Sequence, residues 1–370
     1  MELSSEDSLR LNVLIKQDLH AVKIDESKMV VHALTGRGEA KIPLNPTCRD
    51  EKYLRIVREM LSTHALGSPG GYPVYLRRWT RMGQMREESL QGLLLLGEPE
   101  AIVAVANSQE LTEEVARRAW WAMPDADIAR RMLSNTHIAE SDIGRELAAF
   151  LVEYLPFETE AYDIVESVRL VLQPGLIDQA TVQSLWSRAN RKSAFYVGFL
   201  LANPDALPET APASQRYDEV KMKLQQLSVD NPYAKLLLQL LSAEGQAYVS
   251  TLGKAMDKLN DQHVVVLFLK AIENYFQDVC IDQSARFRSF DEIVAAVNKA
   301  TNDASNSQLQ LLMQNYPEYR ESLLAMLNLA CVCESLVDPI FSQTDAVGSV
   351  MRKRLQPVTQ PITENIRCLM

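Results

Sequence analysis

From about Thr47 onward, apolar residues recur three and four positions apart through most of the chain, and this period constrains the fold more than any other feature. Tyr53, Leu54, Val57, Met60, Leu61 and His64 fall on one helical face, with Thr47 placed to cap it. Leu111, Val115, Ala119, Trp120 and Met123 form a second stripe, and Ile143, Leu147, Phe150, Leu151, Tyr154 and Leu155 a third. Ile164, Val165, Val168 and Leu172 continue the pattern. Glycine is scarce, 14 in 370 residues, and that also favours helices over turn-rich β architecture.

The joints between these stripes are short and contain Pro99, Pro124, Pro156 or Pro204, each soon followed by an acid that suits a first helical turn. Stacked helix pairs of the HEAT type have such joints, but the spacing here is uneven. The pattern therefore predicts a mainly α protein, an irregular helical array (α-solenoid or HEAT-like). Ahead of it, Ala21–Asp25, Lys28–Thr35 and Glu39–Leu44 read as a small N-terminal antiparallel β meander over residues 1–46. Pro43 should sit at an edge or a strand end, because it cannot donate to a ladder.

Further boundaries come from proline. Helices are expected over 47–203, a Pro-rich linker over 204–215, helices again over 216–354, and an extended tail over 355–370 carrying Pro357 and Pro361. Asn231-Pro232 and Asp261 are cap signals within the later helices. Val264–Leu269 is the most apolar run, too short to span a bilayer.

Charge and cysteine usage narrow the function. A net charge of −10 argues against bulk binding to nucleic acid or an anionic membrane, although a local basic patch can override it. Five cysteines without framework spacing, and no apolar leader after Met1, predict a soluble, cytoplasmic protein. No phosphate-binding glycine loop, nucleophile elbow or paired-histidine zinc motif is present, so no catalytic, cofactor-binding or metal-binding residues are assigned. Cys331 and Cys333, if helical, would point to opposite sides, and their apolar surroundings predict buried structural thiols. Cys368 reads as a tail thiol. His137 with Glu140, and His32 and His64 singly, carry no distinctive chemistry.

One segment differs. Between Ala65 and Arg81, three glycines and two prolines adjoin three aromatics and three arginines. Arg77, Arg78, Trp79 and Arg81 are the candidate partner-binding residues, since arginine beside an aromatic is favoured interface chemistry. The alternative is an ordinary helix connection with solvated arginines.

The same stretch, LGSPGGYPVYLRRWTRMGQ from Leu66, is followed by LLLLGEPEAIVAVA from Leu93, ARRAWWAMP from Ala116 and SVRLVLQPGLID from Ser167. Together these blocks resemble DsrS, a family encoded with dissimilatory sulfite reductase genes of sulfur-oxidising bacteria, over most of Leu9–Leu207. The resemblance implies a non-catalytic cytoplasmic accessory protein of sulfur oxidation, with siroheme, iron–sulfur and persulfide chemistry left to partners. A helical scaffold for a protein partner of that pathway is the leading expectation. A regulator that binds RNA through the arginine patch is the alternative, and a thiol-using sulfur-handling enzyme a weaker third.

Overall fold

The structure, a computed structural model, describes residues 3–67, 87–303, 306–343 and 348–370. It is mainly α with one small sheet, as the periodicity predicts, and it divides into two compact units.

The first unit comprises Met1–Tyr154 with Gln173–Ile177. It opens with α1 (Ser5–Ile15), a helix that the stripe reading does not find, because only Asp7, Leu11 and Leu14 of this polar segment face inward. The Ser4 side chain caps it through the Asp7 N–H. Then β1 (Leu19–Asp25), β2 (Val30–Thr35) and β3 (Gly38–Pro43) form an antiparallel meander with order β1-β2-β3. Pro43 is paired with Val30 at the last position of its strand, where its missing N–H is harmless. The sheet's inner residues, Val22, Val31, Ala33 and Ile42, share a core with Leu54, Val57 and Leu61 of α2 (Asp50–Leu66).

Helix α2 begins later than the sequence suggests. Arg49, not Thr47, is its N-cap, and the cap is made without a side chain. His64 is exposed and contributes nothing to the apolar face. The unit continues through α3 (Glu87–Leu94), α4 (Pro99–Ala106), α5 (Glu113–Ala122), α6 (Ala126–Leu133), α7 (Thr136–Ala139) and α8 (Asp142–Tyr154). Consecutive tryptophans on α5 serve two surfaces. Trp120 packs edge-on against Phe150 of α8, centroids 4.9 Å apart, and donates to Glu146. Trp121 turns to the sheet, where it donates to Glu39 and lies under the Lys23 ammonium at 4.3 Å. The Lys23 Nζ also donates to the Trp121 carbonyl at 2.9 Å, which fixes strand to helix.

A buried carboxylate completes this unit. Asp7 is fully buried and accepts from the Tyr53 hydroxyl at 2.5 Å and the Asn45 N–H at 2.7 Å. Burial pushes its pKa up, but the donors from Tyr53, Asn45 and Ser4 outweigh that and hold it below the usual carboxylate range. Helix α1, the chain after β3 and helix α2 thus meet on one charge.

The second unit comprises Leu155–Leu172 with Asp178–Met370. Its helices are α9 (Ala161–Val171), α10 (Gln179–Ala189), α11 (Ser193–Ala202), α12 (Tyr217–Leu224), α13 (Pro232–Leu241), α14 (Ala243–Met256), α15 (Gln262–Phe276), α16 (Phe290–Asn302), α17 (Ser307–Asn315), α18 (Arg320–Ala330), α19 (Asp338–Phe341) and α20 (Gly348–Leu369). Asn231 and Asp261 cap α13 and α15 with their side chains, as their sequence context predicts.

Helix α11 is the centre of the unit. Its sequence SAFYVGFLLA has no polar face, and every residue from Ser193 to Leu200 is buried. It packs against α9, α10, α14 and α15. A close approach occurs at Gly198, where a Cβ would stand 2.7 Å from the Val168 side chain of α9. Nearby, Tyr248 of α14 is fully buried, stacks on Tyr275 of α15 at 3.7 Å and donates to the Ala271 carbonyl.

The C-terminal residues are not an extended tail. They form the 22-residue α20, with Pro357 and Pro361 inside it. Met351, Leu355, Val358, Ile362, Ile366 and Leu369 recur at helical spacing and are buried, and their burial outweighs the two backbone bonds that proline removes. Both prolines lie off the buried face. The Leu369 carbonyl accepts from the buried Gln246 amide at 2.8 Å, and Asn365 bonds Asn328 of α18. Cys368 accordingly sits at a helix end, not on a tail. Residues 204–215 are mostly irregular and belong to the second unit, held in part by the Ser214 N–H donating to Leu241.

Candidate functional site

Arg77, Arg78, Trp79 and Arg81 lie outside the described residues. Among the described residues, two concave sites stand out, both within the second unit.

The first is a basic hollow of about 350 Å³, lined by Arg191, Lys192, Lys258 and Arg352 without any acidic side chain. The local backbone explains why these cations face it. Lys192 is the N-cap of α11, and its Nζ rests on the Glu158 carbonyl at 3.4 Å. Lys258 follows α14 and donates to the Asn190 carbonyl at 2.6 Å, while Arg352 in the first turns of α20 donates to the Asp257 carbonyl at 3.3 Å. Carbonyls orient the three chains without neutralising them. Ser193 and Ala194 place the positive end of α11 in the same hollow, and Ser193 Oγ donates to the Lys258 carbonyl at 3.0 Å. Four cationic side chains therefore line one hollow of an acidic protein. The chemistry is that of an anion acceptor: a carboxylate or phosphate could take several charge-assisted bonds there. The only sequence signal was the run Arg188 to Lys192; Lys258 and Arg352 arrive through the fold.

The second is a smaller cleft of about 190 Å³ that gathers Cys280, Cys331 and Cys333 with Lys270, Asp282 and Arg286 among its walls. Helix α15 ends in a 3-10 turn, Gln277–Val279, and Cys280 follows it in extended conformation. The opposite wall comes from the end of α18, which packs on α15. Cys331 caps that helix, and Cys333, two residues on, is extended. The expected burial of Cys331 and Cys333 is observed, but the helical geometry assumed for them is not: the helix stops at Ala330, so both residues reach one cleft.

The three thiols are not equivalent. Cys280 is half-buried and its thiol is not in a disulfide. The Cys331 thiol donates a hydrogen bond to it and brings its pKa down to about 7, against the opposing effects of burial, Asp282 and Glu273. Donating that bond, together with burial, drives Cys331 upward. Cys333 lies 3.0 Å from Ser335 Oγ, which itself donates to the Phe287 carbonyl, so the Cys333 thiol is the donor of that pair. Among the described residues, no group of three or more His, Cys, Asp or Glu side chains is placed to hold a metal ion.

Nothing comparable forms around the histidines. His32 lies on β2, and burial followed by Lys41 and Lys23 lowers its pKa. His137 and Glu140 are both exposed on the short α7 and its cap. No described helix is long and apolar enough to cross a membrane. Comparison of the chain with family models, curated proteins and solved structures gives no match.

Proposed function

We propose that this protein is a non-catalytic accessory protein of a sulfur-oxidising system, acting as a helical scaffold that engages the acidic surface of a protein partner. The basic hollow carries this reading, because it offers four cations and no carboxylate on a chain of net charge −10. Field focusing of this kind steers an acidic partner and orients it on contact. Helices packed around α11, buried from Ser193 to Leu200, supply the rigid frame such a contact needs. The assignment to sulfur oxidation rests on the resemblance of the sequence blocks between Leu66 and Asp178.

The test is partner capture from a sulfur-oxidising cell, with protein and RNA both identified. Lys192→Glu with Lys258→Glu should cut recovery of an acidic protein at least tenfold and leave the melting temperature nearly unchanged. Capture should also weaken as salt rises through the physiological range. Recovery of RNA in place of protein, lost in the same variant, would move the function to RNA binding. Undiminished recovery of every partner would remove the hollow from the proposal.

A further inference from the structure

The thiol cleft has features that packing does not require. Two helix ends deliver Cys280 and Cys331 to the walls of one cleft, Cys280 half-buried and Cys331 buried. A buried cysteine pair that served only as core would be enclosed on both sides. Here both residues line a cavity of about 190 Å³, walled also by Lys270 and Arg286. Cys333 is occupied with Ser335 and does not compete.

We propose that Cys280 and Cys331 form a thiol–disulfide exchange site whose reaction partner is a low-molecular-weight disulfide bearing carboxylates. The Cys280 thiolate attacks one sulfur of the small disulfide, its S–S bond breaks, and the first thiolate leaves. Cys331 then gives its proton to that leaving group and attacks the Cys280 sulfur, expelling the second half as thiolate, which takes a proton from solvent. Two protein thiols and one small disulfide thus become one protein disulfide and two small thiols. Two electrons pass from the protein to the small disulfide.

Charge around the site suits both the attack and the substrate. Lys270 and Arg286 face the cleft as cations, with Glu273 and Asp282 as the opposing carboxylates and Cys331 and Cys333 as the neighbouring thiols. Lys270 is paired with Glu273 at 2.8 Å, whereas the Arg286 Nη1 donates to the carbonyls of Gln283 and Ala285, neutral acceptors that leave its charge for a carboxylate. A thiol titrating near 7 is about half thiolate at neutral pH, against about 3% for an ordinary cysteine. Its lower basicity offsets part of that gain, leaving about a threefold advantage in attack rate.

The experiment uses the full chain with Cys48→Ser and Cys368→Ser, so that only the cleft thiols remain. Glutathione disulfide at neutral pH should convert it to a Cys280–Cys331 disulfide, located by peptide mass mapping. Added Cys331→Ser should stop the reaction at a Cys280–glutathione mixed disulfide. Added Cys280→Ser should leave Cys331 reduced, with uptake slowed at least tenfold. Iodoacetamide labelling of the Cys280 peptide in the unsubstituted chain, followed against pH, should have its midpoint near 7. This measurement needs no variant and stands if a substitution impairs folding. A midpoint at the ordinary value of about 8.5, or a mixed disulfide that accumulates equally with and without Cys331, would overturn the proposal.

Discussion

The two units keep their folds by different physics. The first places a charge at its centre: Asp7, fully buried, ties α1 and the chain after β3 to Tyr53 of α2. The second places a helix without polar face at its centre, with close apolar and aromatic contacts around it, Gly198 on Val168 and Tyr248 on Tyr275. A buried ion holds three segments in one arrangement, yet it leaves stability open to pH and to loss of any donor. Apolar contact tolerates pH but not a change of volume.

The largest effect should come from the second unit. Tyr248→Ala removes a fully buried ring and its stacking partner's contact, and should cost about 3–5 kcal/mol in a denaturant titration. A loss below about 1 kcal/mol would mean that the helices around Tyr248 close over the gap. In the first unit, Tyr53→Phe keeps the ring but takes the 2.5 Å donor from a buried carboxylate, an expected loss of about 1–3 kcal/mol. Gly198→Ala inserts a Cβ where 2.7 Å is available and should cost a similar 1–3 kcal/mol, roughly, by forcing α9 and α11 apart.

The smallest effect is in pH. Because the folded pKa of Asp7 lies below its unfolded value of about 3.9, its contribution is complete above that value and fades as pH falls through the folded one. Acidification below about pH 4 should therefore release the first unit's amides to hydrogen exchange before those of α11. Asp7→Asn should flatten that dependence. Simultaneous loss of protection in both units would break the contrast, since it would place the acid-labile groups elsewhere.

Much of this architecture was legible in residue order. Most of each stripe from Tyr53 to Leu172, the meander and the caps at Asn231 and Asp261 depend on neighbours within a few positions and are found in the structure, whereas His64 and Tyr154, read into their stripes, are exposed. Failures came where local signals opposed tertiary burial. Pro357 and Pro361 suggested an extended end, but the apolar face from Met351 to Leu369 kept the helix intact. Helix α1 escaped notice because its few inward residues gain a core only from the sheet and α2.

The candidate sites divide in the same way. Arginine run, net charge and cysteine count are properties of the chain alone, and so is the resemblance of its blocks. Which cations share a hollow, and which thiols meet, are not. Arg191 and Arg352, or Cys280 and Cys331, come from separate elements whose relative placement is set by helix packing, and residues so far apart in the chain leave no mark on each other's local sequence. Sequence determined the helical character, the acidic charge and the stock of reactive groups, because each is a sum over local residues. Tertiary structure alone decided which of those groups became neighbours, because that depends on how buried faces fit.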